Sequence, residues 1–166
     1  RAKRIIHDKE ERQLYFDQAQ FLIRDVPVLY IPRIRVPDPT VKRATGFLVP
    51  SWRSTSELGL GIKIPYFIAL RPDRDSTITP YVSRKTKTLE LRYRQAFVKG
   101  RIEIEGAFSR DDIRKGENRG YAFGEGEFDL RNDFKLDFGF EVTSDDAYLK
   151  EYDYSGKDRL ISSITL

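Results

Sequence analysis

A chain of 166 residues with 30 Lys and Arg against 26 Asp and Glu carries a net charge of +4, but the two signs are interleaved, so the surplus is weak ground for a polyanion partner. The absence of cysteine excludes a disulfide, a zinc–cysteine cluster or a cysteine nucleophile within these residues, and 13% aromatics argue against disorder although only 39% of residues are hydrophobic. No run of about 18 apolar residues is present, which excludes a spanning helix and leaves open a spanning β-barrel, whose signal is alternation.

The chain begins at Arg1 without Met or a signal peptide, which suggests a mature or excised segment. Over residues 1–25, Ile5 and His7 share one strand face and Ile6 and Asp8 the other. A polar turn over Asp8–Arg12 leads into a run with Tyr15, Ala19, Phe21 and Ile23 on one side and Leu14, Phe16 and Leu22 on the other, as in a strand covered on both faces. After a turn at Arg24 and Asp25, a short strand is expected over Val26–Ile31.

The stretch from Val26 to Leu70 is dense in proline: Pro27, Pro32, Pro37, Pro39, Pro50 and Pro65. Residues 33–43, with the run PDP, read as a stiff linker and module boundary, in which Pro32, Pro37 and Pro39 set the hinge. Pro50 and Pro65 each interrupt an apolar run that otherwise reads as strand. Proline donates no backbone N–H, so two strands are expected to be poorly zipped there.

From about residue 44 onward the chain reads as successive hairpin strands. Leu58, Leu60, Ile62 and Ile64 alternate with Gly59, Gly61 and Lys63, and Ile78, Pro80 and Val82 with Thr77, Thr79 and Tyr81. Leu89, Leu91 and Tyr93 oppose Glu90, Arg92 and Arg94, and Ile102 and Ile104 oppose Arg101, Glu103 and Glu105. The clearest case sets Phe134, Leu136, Phe138, Phe140 and Val142 against Lys135, Asp137, Gly139 and Glu141. Strands of about 9 to 11 residues have the length that crosses a tilted bilayer. Short turns over 71–74, 98–100 and 131–133 contrast with long charged loops over 109–120 and 144–157, although the tips at 54–57 and 85–86 are short as well. A soluble β-sandwich also alternates, so pattern alone sets barrel and sandwich level.

Enzyme chemistry finds little to hold. His7 is the only histidine and reads as a polar strand residue rather than the pivot of a triad or metal site. Asp111 with Asp112 and Asp145 with Asp146 lie in charged loops without EF-hand spacing, so no metal ligand, catalytic residue or cofactor site is assigned. GYAFGEG at 120–126 lacks the strand-to-helix context of a phosphate loop and reads as a strand whose glycines relieve crowding. The interleaved LRYRQAF at 91–97 fits a charged barrel wall, and no nucleic-acid partner is expected.

VPVLYIP at 26–32, KRATGFLVP at 42–50 and GIKIPYFIALRPDRDSTITPYVSRK at 61–85 resemble the LptD family of lipopolysaccharide-assembly outer-membrane proteins, also called organic solvent tolerance proteins, and IIHDKEER at 5–12 resembles the last turn of that family's periplasmic β-jellyroll. The resemblance runs from about residue 3 to 108 and fades beyond Ser109. It implies an all-β, antiparallel chain: the end of a periplasmic β-jellyroll over 1–32, a linker over 33–43, and over 44–166 about eight strands of a large outer-membrane barrel, incomplete in this segment. It implies transport of lipopolysaccharide, received from the periplasmic bridge protein LptA and inserted into the outer leaflet by a barrel holding the plug lipoprotein LptE, in contact with outer-membrane lipids. Carried over by position, Pro50 and Pro65 match the prolines of the first and second barrel strands, fifteen residues apart, which form a lateral gate. Ile5, Phe21 and Ile23 would face the acyl-chain groove of the jellyroll. The family's cysteines have no counterpart here. The rival expectation is a soluble β-sandwich that binds lipid or carbohydrate; a self-contained eight-stranded, lipase-like barrel is disfavoured by the single histidine.

Overall fold

The computed structural model describes residues 1–10, 13–23, 25–38, 43–157 and 159–166. Its strands pair antiparallel throughout, and the chain divides into two compact units, residues 1–48 and 49–166.

The first unit is a three-stranded sheet in the order β1-β2-β3, made of β1 (Arg4–Asp8), β2 (Gln13–Ile23) and β3 (Val26–Pro37), followed by the two-residue β4 (Gly46–Phe47). β3 is longer than the expected strand ending at Ile31, and the expected boundary at residue 32 falls inside it. The reason is its place at the sheet's edge, where proline is tolerated because one side of the strand has no partner to donate to. Pro27 and Pro37 sit in register with Leu22 and Gln13, while pairing skips Gln18 and Pro32 and resumes at Ala19 and Ile31. Gln18 takes a left-handed φ of 52° at that gap. His7 Nε2 pairs with the buried carboxylate of Asp38, which fastens β1 to the end of β3.

The second unit holds β5 (Ser51–Thr55), β6 (Gly59–Lys63), β7 (Tyr66–Arg71), β8 (Arg74–Ser83), β9 (Thr86–Phe97), β10 (Gly100–Asp111), β11 (Asn118–Asp129), β12 (Lys135–Thr143) and β13 (Ser163–Thr165). The sheet order is β13-β12-β11-β10-β9-β8-β6-β5, with β7 also paired to β8. β6 and β7 are one strand broken at Pro65: Lys63 lies opposite Tyr81 and Tyr66 opposite Ile78, so the register does not slip across the break. Counted so, the described residues give eight strands in this unit, joined in neighbour order as consecutive hairpins. Tight turns join β7 to β8, β8 to β9 and β9 to β10, whereas nineteen residues, 144–162, separate β12 from β13.

In this sheet burial runs against hydropathy. Partners in register share a face, which places Val82, Leu89, Leu91, Ile104, Phe108 and Val142 together, and all six are exposed, Phe108 at 58% and Val142 at 53%. The buried residues lie on the other, charged face. There Tyr81 packs with Leu58 and with Tyr148, Leu149 and Tyr152 from the 144–162 segment. Leu58 was expected to begin a strand alongside Leu60. Instead Gly59, at a φ of 68° that favours glycine, turns the chain after it, so that Leu58 joins the buried cluster and Leu60 stays exposed.

The glycines of GYAFGEG have a specific use. A Cβ at Gly124 would stand 2.2 Å from the Phe140 ring and one at Gly126 2.5 Å from the Phe138 ring. Both phenylalanines lie across the ladder in register, so their rings fold down over the bare backbone of β11.

Candidate functional site

Two places in the second unit combine unusual backbone or charge with a definite position. The first is the β5 edge. The β5–β6 ladder pairs Thr55 with Gly59 through to Ser51 with Lys63 and ends there. Carried on in the same register, Pro50 would fall opposite Ile64 and Val49 opposite Pro65. Both sequence-predicted prolines therefore stand where the pairing stops, Pro50 just before β5 and Pro65 in the break between β6 and β7. Of the expected hinge residues, Pro32 and Pro37 belong to β3, and Pro39 lies outside the described residues.

The second is the charged face and the strap over it, residues 144–162. Its single helical turn α1 (Tyr148–Glu151) begins where an Asp145 Oδ1 accepts from the backbone N–H groups of Ala147 at 3.2 Å and Tyr148 at 3.1 Å. Arg119 of β11, only 2% exposed, reaches up to it. Its guanidinium donates to both Asp145 carboxylate oxygens at 2.9 and 2.8 Å, to Glu151 at 2.6 Å and to Asp111 at 3.2 Å. Three carboxylates around one buried cation leave no guanidinium edge without an acceptor, which is the condition for burying such a charge. The Arg119 guanidinium beside Asp145 holds that carboxyl down to about 2.

The tyrosines extend this network. Tyr152 OH donates to Asp111 at 2.8 Å and lies 2.6 Å from Thr86 Oγ1, and Tyr148 OH meets Ser109 Oγ, itself 2.7 Å from Thr88 Oγ1. Tyr154 OH donates to Glu90 at 2.6 Å, the carboxylate that also pairs with Lys63. Burial pushes the phenols of Tyr148, Tyr152 and Tyr154 above their ordinary value, so they remain neutral hydrogen-bonding groups. Away from the strap the same face stays charged. A groove of about 280 Å³ is lined by Arg101, Glu103, Glu125, Glu127, Asp137 and Ser163, and Arg94 grips Asp75 through two bonds of 2.9 and 3.1 Å. Among the described residues no group of three or more His, Asp and Glu is placed to hold a metal ion.

The strap was expected only as a charged loop. Its aromatic density, YLKEYDY over 148–154, was the available signal. In the first unit Ile5 is 61% exposed and sits opposite Phe16, sharing a face with that residue and with Leu14, the partner of His7. Phe21 and Ile23 lie in β2, and their side chains fall outside the described part of the structure.

No protein-family model matches the chain. Among individual proteins it is 31% identical, over 169 residues that take in the whole chain, to the LPS-assembly protein LptD of Nitrosococcus oceani. It is 33% identical over 134 residues, 79% of the chain, to that of Pseudoalteromonas atlantica, and 37% identical over 97 residues, 58% of the chain, to that of Yersinia enterocolitica. Over the segment it spans, the chain belongs to the LptD family. It covers 22% of the first LptD, 18% of the second and 12% of the third. The expected all-β, antiparallel segment with open sheet edges agrees with this membership.

Proposed function

We propose that this chain is the jellyroll-to-barrel junction of a non-enzymatic machine that assembles lipopolysaccharide in the outer membrane. On this reading β1–β3 are the periplasmic end of a jellyroll, and β5–β13 are the first strands of a large barrel whose remaining strands come from sequence beyond this segment. The observation that carries the proposal is the inverted burial of the second unit. A row of Leu, Ile, Val and Phe stands uncovered on one face while the packed cluster sits on the charged face. A lipid-facing barrel wall has this arrangement, and a water-soluble sandwich would cover the apolar face with a second sheet.

The apolar face then meets outer-membrane lipids, and the charged face lines the interior, where the plug lipoprotein LptE would stand. Ile5, Phe21 and Ile23 would pass acyl chains received from LptA. Pro50 and Pro65 form a lateral gate: Pro50 removes a backbone donor where the first strand would meet the last, and Pro65 removes one between the first two strands, so the seam parts at lower cost and lipopolysaccharide leaves sideways.

The test is the P50A/P65A double variant in a full-length family protein with its plug. Restored donors tighten the seam, so surface lipopolysaccharide falls and sensitivity to large hydrophobic antibiotics rises. Wild-type levels of both, with normal barrel assembly, would remove the gate assignment.

A further inference from the structure

A third proline completes a geometry that Pro50 and Pro65 only begin. Pro80 lies in β8, opposite Ile64, fifteen residues after Pro65 as Pro65 is after Pro50. Ile64 N–H donates to the Pro80 carbonyl at 3.1 Å, and Pro80 has no N–H to return to the Ile64 carbonyl, so this rung has one bond in place of two. Bonding in an antiparallel ladder alternates sides residue by residue. With Ile64 turned towards β8, Lys63 and Pro65 turn towards β5 and its extension, and Pro65 withholds a donor there. Ser51 turns towards Lys63, so Pro50 withholds its donor on the free edge.

Each proline thus weakens a different, successive gap: Pro80 between β8 and the β6–β7 strand, Pro65 between that strand and β5, Pro50 outside β5. All three stand at one level, since Pro80 lies opposite Ile64, Pro50 would fall opposite it in the continued register, and Pro65 follows immediately. On one side of this level β7 stays zipped to β8 from Tyr66–Ile78 to Ala69–Asp75. On the other, the β5–β6 hairpin is held to β8 by Gly61–Ser83, Ile62–Val82 and Lys63–Tyr81, and at its tip by Ser83 Oγ donating to the Leu58 carbonyl at 2.7 Å and by Leu58 packed against Tyr81.

We infer that Pro80 is a positioning residue of the gate: the three prolines form a crease across β5, β6–β7 and β8, and the β5–β6 hairpin swings on it as one piece. The inference rests on the lateral-gate reading of Pro50 and Pro65 and deepens it, because the moving part becomes a hairpin rather than a single strand.

In the full-length protein with its plug, P80A supplies the missing donor. Lipopolysaccharide should then reach the surface several-fold more slowly than in wild type, and the amides of residues 61–63 should exchange with deuterium about fivefold more slowly, the effect of roughly one added hydrogen bond. The double variant I64P/P80A moves the missing donor to the other partner of the same rung and should restore both rates. Wild-type export and exchange in P80A, alongside slowed export in P50A/P65A, would overturn the role of Pro80 and leave the gate standing. No effect from either variant would overturn both. If P80A fails to assemble, the wild-type complex decides by itself: residues 61–63 should exchange faster than residues 66–69 of the same broken strand, and equal rates would overturn the crease.

Discussion

On β9 and β10, Leu89, Leu91 and Phe108 stand in the open, while Thr88 and Ser109, one residue along, are buried beneath tyrosines. The same strands carry both sets, so strand propensity does not separate them. What differs is the covering. The charged face is roofed by the 144–162 strap, whose tyrosines bring apolar rings and hydroxyls together, and the apolar face is roofed by none of the unit's described residues. Hydropathy tells which face avoids water. It does not tell which face is filled by protein, and in this unit the answer is the polar one.

That contrast can be broken most forcefully at Arg119. R119M leaves Asp111, Asp145 and Glu151 facing a neutral side chain in a buried site, and removing one partner of such a network costs about 3–5 kcal/mol. The unfolding midpoint of the full-length protein in denaturant should fall accordingly and the strap should become open to protease. A midpoint unchanged within error would mean that the strap is not held from β11.

The next largest effect separates the faces directly. L91R on the apolar face should cost about 2–4 kcal/mol when the protein is folded in a bilayer. R92L, its neighbour on the charged face, breaks only a partly exposed pair with Glu103 and should cost under about 1 kcal/mol. In a soluble sandwich the ranking would vanish, since Leu91 is already 46% exposed and surface changes there are nearly neutral.

The smallest effect sharpens the picture of the strap. Asp145, lowered from 3.8 to about 2 by Arg119, contributes stability that is fully present above about pH 4 and is lost as the pH falls towards 2. That lowering corresponds to about 2 kcal/mol. Tyrosine near-ultraviolet circular dichroism should report release of the strap over that window, and D145N should abolish this acid dependence.

Much of the sheet was legible in the sequence because period-two alternation is a local property. The runs through Leu89–Tyr93, Ile102–Ile104 and Leu136–Val142 each show their faces without reference to any partner. The strap was not legible, because Tyr148, Leu149 and Tyr152 are buried by what lies opposite them, and Arg119, Ser109 and Thr88 sit between 29 and 64 residues away in sequence. The β3 edge was missed for a related reason: Pro32 and Pro37 read as breaks until the strand is known to be outermost. Pro50 and Pro65 stand out in the sequence as interruptions, whereas Pro80 alternates there like an ordinary outward residue. Which neighbour a proline fails to bond is a question of register, and register is not written in spacing alone.

The position of Pro50 on the outermost strand carries one more consequence. An open row of backbone donors and acceptors invites pairing with any passing strand, including another copy of the chain during synthesis and delivery. The β5 edge is only five residues long and is preceded by a proline that withholds a donor on its free side, so it makes a poor template for such association. The residue that would loosen the finished wall would also guard the unfinished one against aggregation.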